Sequence, residues 1–281
     1  MSRLFSLEYL TLPGLTPVEL TKVAAEAGYS AVSYRLIQMG VAGEPDIDPC
    51  APEVIRETKR VLADTGLVAF DVELARILRN HDPRDYERAF AAGAELGCSQ
   101  VISSAWTDVR NDGNFVVEQF QKICELAKPY GLTVNLEFPA FSRLTCLDDA
   151  LGILRRAKCE NQGVLVDTLY HHFNGGTAEE LLSVPEKWIN FFHVCDTDHV
   201  AYAKDEMIHI ARDERLYPGE GVVDFQSIAD AIPHAHVAIE LPNLARMASL
   251  GPVEHARRCL EGAKRFFNEP VRAAFRTGKA A

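Results

Sequence analysis

Three observations predict an α/β fold, a single (β/α)8 TIM barrel, for these 281 residues. Short apolar runs of strand length alternate with stretches at helical spacing from end to end. There are eight such runs, each leading to a helical stretch, and no Ser/Gly/Pro-rich linker or composition shift divides the chain. Eight parallel strands, each followed by a helix, is the count at which such a sheet closes, and this length suits one barrel. The domain is placed at 1–268, leaving a C-terminal tail at 269–281 whose termination in Gly-Lys-Ala-Ala suits a frayed end or a protomer contact. An open doubly wound sheet is the alternative, but no GxGxxG follows the first strand.

The first strand, Phe5–Leu10, leads to a helix over Pro17–Ala27. Thr16 is an N-cap residue, Pro17 takes the first helical position and Gly28 marks the stop. Strand two, Ala31–Leu36, precedes the helix Pro52–Thr65, which stops at Gly66. Strand three, Leu67–Val72, is paired with the helix Arg84–Leu96, and strand four, Gln100–Ser104, with Asn114–Tyr130. Strand five is Thr133–Phe138 with helix Leu147–Lys158, and strand six is Gly163–Asp167 with helix Ala178–Leu182. After strand seven, Asn190–Val194, the connection from Cys195 to Val223 has no strong helix or strand pattern, and the helix Asp224–Ala231 follows. Strand eight, Ala235–Leu241, and the helix Pro252–Phe267 complete the set. Loops as long as 195–223 are usually functional or disordered, and this one lies on the rim where barrel active sites sit. It holds Asp196, Asp198, His199, Lys204, His209, Arg215 and the tight Pro218-Gly219-Glu220-Gly221.

Composition removes several function classes. The net charge of −11 and a pI near 5.3 are wrong for a duplex nucleic-acid binder, which needs a basic face. No run reaches the ~18 apolar residues of a membrane span, and the N-terminus lacks a signal-peptide core. The seven cysteines form no CxxC pair and are odd in number, which fits reduced thiols in a cytoplasmic protein.

Strand alternation then decides which residues face inward. In Thr133-Val134-Asn135-Leu136-Glu137, the apolar Val134 and Leu136 suit the helix layer, so Glu137 points into the barrel. The same parity turns Asp167 inward with Leu165, His193 with Phe191, and Glu240 away from Val237 and Ile239. Glu137, Asp167, His193 and Glu240 thus end strands five to eight and converge on one rim. Three carboxylates cannot all stay ionised in a partly dry mouth without a strong positive partner. One divalent cation answers that need, and one imidazole with three carboxylates suits Mn²⁺ or Mg²⁺, while Zn²⁺ or Co²⁺ could also bind.

These residues carry a family resemblance. Asn-Leu-Glu137-Phe, Val-Leu-Val-Asp167, His193-Val-Cys-Asp196, Pro218-Gly-Glu-Gly221 with Val-Asp-Phe225, and Ile-Glu240 resemble the xylose isomerase-like barrels, the sugar phosphate isomerases and epimerases related to the endonuclease IV fold. The resemblance implies that Glu137, Asp167, His193 and Glu240 hold one metal ion and that Glu137 and Glu240 exchange protons with a small polyhydroxylated carbonyl substrate. An ion on the carbonyl and neighbouring hydroxyl would stabilise the enediolate left when the α-proton departs. Two carboxylates on opposite faces could remove and return that proton. The alternative is a lyase of the inosose or dehydroshikimate dehydratase type; a DNA endonuclease and a non-catalytic barrel are further readings. Members often carry a His three residues after the strand-six Asp. Here that position is Tyr170, with His171 and His172 next, so His171 fills the catalytic role, Tyr170 contacts substrate, or the chemistry itself differs.

Further candidates complete the expected site. Arg215 is either a substrate contact or a solvated loop charge. Arg35 and Glu73, at or just past strands two and three, either bind the distal end of a substrate or pair with each other. Trp106 could wall a sugar ring or simply pack, and Asp196 could orient His193 or bind substrate. His255, in a helical Glu-His-Ala-Arg-Arg stretch, is expected to be solvated, and a homo-oligomer is left open.

Overall fold

The computed structural model describes residues 3–41, 43–107, 109–198 and 203–267; the expected tail 269–281 and His199 lie outside them. The first half of the chain runs β1 (Phe5–Leu7), α1 (Pro17–Ala27), β2 (Ala31–Tyr34), α2 (Pro52–Thr65), β3 (Val68–Ile77), α3 (Glu87–Leu96), β4 (Gln100–Ala105) and α4 (Val109–Ala127). There follow β5 (Thr133–Glu137), α5 (Leu147–Ala157), β6 (Gln162–Asp167), α6 (Thr168–Phe173), α7 (Ala178–Leu182) and β7 (Phe191–Val194). The chain continues with α8 (Lys204–Asp213), α9 (Phe225–Ala231), β8 (His236–Ile239), α10 (Leu244–Leu250) and α11 (Pro252–Phe267). The eight strands pair in sequence order, all parallel, and β8 closes on β1 through Phe5 opposite Val237 and Leu7 opposite Ile239. This is the closed (β/α)8 barrel the sequence predicts.

Local chemistry sets many boundaries where expected. Thr16 and Glu19 form a reciprocal capping box at the start of α1, and Gly28 ends it with φ +90°. Gly66 ends α2 in the same left-handed conformation, φ +72°. Strand alternation separates two apolar layers. Val134, Leu136, Val164, Val166, Val237 and Ile239 pack outward against the helices. Ala31, Phe70, Ile102, Leu165, Phe191 and Ala238 fill the inside of the barrel, with Phe70 and Phe191 edge to face at 5.0 Å. That plug is the floor on which the polar strand ends stand.

Several elements differ from expectation. β3 extends five residues past Val72, so Glu73 lies within the strand. Its pairing with β2 advances from Val32 opposite Ala69 to Tyr34 opposite Val72, so one extra β3 residue is accommodated. This bulge lets both Phe70 and Asp71 face inward opposite Ser33. The third predicted helix begins with a 3-10 turn, Pro83–Tyr86, before α3, and the fourth starts earlier and ends in the 3-10 turn Lys128–Tyr130. The connection 195–223 is not irregular throughout, because α8 runs within it. Only Ile210 and Ala211 of α8 are buried, too narrow an apolar stripe to announce a helix. The short α6 and α10 depend on caps: Asp167 accepts from Leu169 N at 2.8 Å, and Asn243 from Arg246 N at 3.1 Å.

Candidate metal and active site

The last residues of β5 and β6, the penultimate residue of β7 and the residue after β8 bring their side chains to one point. Register places Asp167 beside His193 and Glu137 beside Leu165, one pleat above the apolar floor. One ligand atom each from Glu137, Asp167, His193 and Glu240 can be chosen so that all lie within 4.8 Å of one another, and all four residues are buried. His193 Nδ1 is 3.5 Å from Glu137 Oε1, 3.5 Å from Glu240 Oε2 and 3.8 Å from Asp167 Oδ2. Neither ring nitrogen of His193 has a hydrogen-bond partner, nor has Glu137 Oε1. Orphaned buried donors and acceptors are rare and need a reason. Their convergence fits a cation held by one imidazole nitrogen and carboxylate oxygens.

The protein's own electrostatics express the same need. Burial pushes the Glu137 carboxyl up to about 7, with Glu240 and Asp167 adding to the shift against the pull of His193. Burial acts on Glu240 too, but His193 and Arg215 outweigh it and hold that carboxyl down at about 2. Burial would lower His193, yet Glu240, Asp167 and Glu137 raise it well above the ordinary imidazole range. Without a bound cation the cluster therefore fills itself with protons.

Arg215 is neither a solvated loop charge nor free to reach outward. It is fully buried, its backbone N donating to Pro242 O at 3.1 Å. Its Nε donates to Ala211 O at 2.8 Å, Nη1 to Asp167 Oδ2 at 2.7 Å and to Glu240 O at 2.9 Å, and Nη2 to Glu240 Oε2 at 2.8 Å. One guanidinium thus fixes two of the four candidate ligands by the fork geometry lysine lacks. Nη2 also donates to the Tyr170 hydroxyl at 3.0 Å, and the guanidinium lies 5.3 Å from that ring's centre. The residue that departs from the family pattern is therefore bound to the cation that orients the ligands.

Behind His193 lies a group the sequence reading missed. Glu8, just after β1, is fully buried, with Oε2 3.8 Å from His193 Nε2. Its Oε1 accepts from Ser33 Oγ at 2.8 Å, and the same hydroxyl lies 2.7 Å from Asp71 Oδ2 and 2.9 Å from Ser6 Oγ. One hydroxyl proton cannot serve two carboxylates. Burial, with Glu8 and Glu73 nearby, pushes the Asp71 carboxyl well above the ordinary carboxylate range. Parity could have found Glu8, since it shares the inward face of β1 with Ser6 and leaves Phe5 and Leu7 to the helix layer.

The candidate ligands Glu137, His193 and Glu240 floor a cavity of about 520 Å³, whose walls include Arg35, Glu73, Trp106 and Tyr170. Arg35 and Glu73 pair with each other at 2.6 Å, the second of the two alternatives the sequence left open, while still facing the cavity. His171 is not brought to this mouth. It lines a separate hollow with Thr177 and Asp224, its Nε2 3.0 Å from Thr177 O. On a helix, residues one apart point about 100° away from each other, so Tyr170 and His171 cannot both face the cavity. Asp196 does not touch His193; its carboxylate accepts from the backbone N–H groups of Gly219, Gly221 and Val223 at 2.9–3.1 Å and shapes the Pro-Gly-Glu-Gly turn. His255 is buried rather than solvated, between the Tyr217 hydroxyl at 2.9 Å and Leu241 O at 3.1 Å.

Comparison with known proteins adds the family. Residues 21–260 match the sequence profile described as xylose isomerase-like TIM barrel. An inosose isomerase of Bacillus subtilis is 26% identical over 120 residues, 41% of this chain and 41% of that protein. A 3-dehydroshikimate dehydratase of Pseudomonas aeruginosa is 25% identical over 232 residues, 78% of this chain but 34% of that protein. The matched region therefore spans well under two thirds of either relative. Among solved structures, an "IOLI protein with a binding zinc atom" superposes with a TM-score of 0.79 at 16% identity, over 94% of this chain and 98% of the other. D-allulose 3-epimerase from Methylomonas sp. in complex with D-allulose gives 0.68 at 17%, over 95% and 98%. A profile match across most of the chain, on a closed eight-stranded barrel, makes this protein a member of the xylose isomerase-like TIM barrel family.

Proposed function

We propose that the protein is a divalent-metal-dependent isomerase or epimerase that removes and returns a proton beside the carbonyl of a small sugar, keto-sugar or related polyol. The observation that carries this reading is the placing of Glu137 and Glu240 on the cavity floor, each 3.5 Å from His193 Nδ1. Glu137, Asp167, His193 and Glu240 would hold the ion, Mn²⁺ or Mg²⁺ by ligand type, although the similar IOLI structure contains zinc. When bound, the ion supplies a Lewis acid for the carbonyl and its neighbouring hydroxyl.

The chain's own groups do the rest. Glu137, whose carboxyl sits near neutrality, takes or returns a proton on one face of the α-carbon, and Glu240 serves the other. Arg215 keeps Asp167 and Glu240 in place throughout.

A lyase on the same frame is the second reading, and the dehydratase relative supports it. Elimination needs an acid beside the departing hydroxyl. Tyr170 lines the cavity, and because Arg215 Nη2 donates to its oxygen the hydroxyl proton is left free, although burial pushes that hydroxyl well above the phenol range. His171 faces the other hollow. The position of His171 favours isomerisation, and Tyr170 is the group a lyase would have to use. The test is turnover of hydroxyketones in D₂O by the Mn²⁺-loaded protein. Isomerisation gives one deuterium at the α-carbon and conserves the carbon skeleton's oxygen count, whereas elimination loses water. Glu240→Gln should lower kcat by at least ~10³-fold; near-normal turnover would remove the assignment.

A further inference from the structure

The wall of the mouth cavity above the four candidate ligands is unlike a surface built for a hydroxyl-rich chain. Trp106, Phe141 and Tyr170 form one side, with Trp106 and Phe141 centred 6.1 Å apart and Phe141 edge-on to Tyr170 at 5.4 Å. Leu74, Ile102 and Met247 are among the aliphatic side chains that continue the lining. The rim is apolar as well: Val41 and Leu244 are 44% and 41% exposed, two of only five large apolar side chains so exposed among the described residues, and both border this cavity. Exposed apolar groups gathered around a concave site mark binding of apolar surface.

Most polar groups in the wall are already engaged, the exception among the described residues being the buried Glu73 Oε1, which has no partner. Arg35 donates to Glu73 Oε2 through Nη2 at 2.6 Å and Nε at 3.2 Å. Glu44 accepts from the backbone N–H of Met39 and of Gly40, both at 2.9 Å. The Tyr9 hydroxyl accepts from Gly14 N at 3.2 Å, and Trp106 Nε1 donates to Ser104 Oγ at 2.8 Å. No Ser, Thr, Asn, Gln or Lys side chain lines this cavity among the described residues. Arg212 stands exposed on the outer edge beside Asp213. Away from Glu73 Oε1, a sugar hydroxyl carried into such a wall would exchange its water for few partners.

We infer that the substrate offers an α-hydroxycarbonyl head to the strand-end ligands and an uncharged, hydroxyl-poor body to the wall: a deoxygenated hydroxyketone rather than a fully hydroxylated or phosphorylated sugar. This rests on the proposed function for the head alone; the body is read from the wall.

Hydroxamates sharing one chelating head but differing in body test it by calorimetry on the Mn²⁺-loaded protein. Hexanohydroxamate should bind at least tenfold more tightly than D-gluconohydroxamate and than 4-phospho-D-erythronohydroxamate. Phe141→Asn should weaken hexanohydroxamate at least threefold and leave acetohydroxamate, the head alone, unchanged. Equal or tighter binding of either hydroxylated probe overturns the inference, as does an unchanged hexanohydroxamate affinity in Phe141→Asn. Failure of every hydroxamate to bind overturns both the head and the body assignments. Deuterium exchange from D₂O separates the two readings. Exchange together with a preference for the gluconate body refutes the substrate class and leaves the isomerase. A preference for the alkyl body with no exchange on any hydroxyketone refutes the isomerase and leaves the substrate class.

Discussion

Replacing Arg215 by Met removes the one fixed cation among the described residues that touches two of the candidate ligands. The guanidinium is fully buried and makes contacts of 2.7–2.9 Å to Asp167 Oδ2, Glu240 Oε2 and Glu240 O. Removing one partner of a buried, hydrogen-bonded ion pair costs ~3–5 kcal/mol, because the other charge is left in a poor solvent. Two carboxylates lose their partner here, so the upper part of that range applies, about 10–15 °C in Tm for a chain of this size. The loss depends on pH in a defined direction. Against the cost of burial, His193 and then Arg215 hold Glu240 at about 2, below its ordinary 4.5. A depressed carboxyl contributes stability above the unfolded value and loses it as pH falls through the folded one. The Arg215→Met penalty should therefore be full at pH 6–8 and shrink between about 4.5 and about 2. Saturating Mn²⁺ should recover a large part of it, since a divalent ion at the same carboxylates restores positive charge. Thermal and urea melts of both proteins, in EDTA and in Mn²⁺, measure all three effects. A loss below ~1 kcal/mol in EDTA at pH 7, or an equal loss at pH 3.5, would refute the assignment of Arg215 as the neutralising cation.

Three further outcomes follow from the same geometry. Glu8→Gln keeps the volume but loses the charge facing His193 Nε2, and should weaken Mn²⁺ binding by ~10-fold or more in a chelator competition; an unchanged affinity means the ring is held by something else. Burial raises the carboxyls of Glu137 and Glu8 to about 7, so their contribution is complete below about 4.5 and is lost as pH rises through about 7. The metal-free protein should lose ~1–3 kcal/mol over that window and the Mn²⁺-loaded protein much less; parallel pH profiles in melts with and without Mn²⁺ would count against the cluster as the metal site. Tyr170→Phe removes an acceptor from Arg215 Nη2, and should destabilise by ~1–3 kcal/mol in melts while sparing α-proton exchange. Loss of water from a hydroxyketone that disappears in that variant while exchange is retained would instead make Tyr170 the acid and favour the lyase.

The candidate ligands were legible because β5 to β8 keep strict alternation, so parity read from Val134, Leu136, Val237 and Ile239 places Glu137 and Glu240 without further information. β3 breaks that alternation. Its bulges turn adjacent residues inward, and period-two reasoning cannot place Asp71 and Glu73 across them. Arg215, Asp196 and His255 failed for another reason. Each owes its place to contacts about 14 to 48 residues away in sequence, such as Arg215 on Asp167 and His255 on Leu241, which no local pattern encodes. Glu8 was accessible to the same parity argument as the ligands. It lies inside the expected strand Phe5–Leu10, whereas the observed β1 ends one residue before it, at Leu7.

Proton content and metal content of this site are one quantity. Glu137, Asp167, Glu240 and Glu8 surround His193, and among the described residues Arg215 is the only permanent cation touching any two of the candidate ligands. Ionising all four carboxylates around a neutral imidazole leaves a buried negative excess that Arg215 alone cannot balance. The protein escapes by raising His193 so that it is cationic, and by raising Glu137 and Glu8 toward neutrality so that they retain protons. A divalent cation would take the same place only if His193 gives up its proton at Nδ1, keeps the one at Nε2 toward Glu8, and Glu137 ionises. Binding must therefore release protons. The groups that release them include Glu137, the carboxylate proposed to carry protons to and from substrate, so the charge balance that holds the metal also prepares the base.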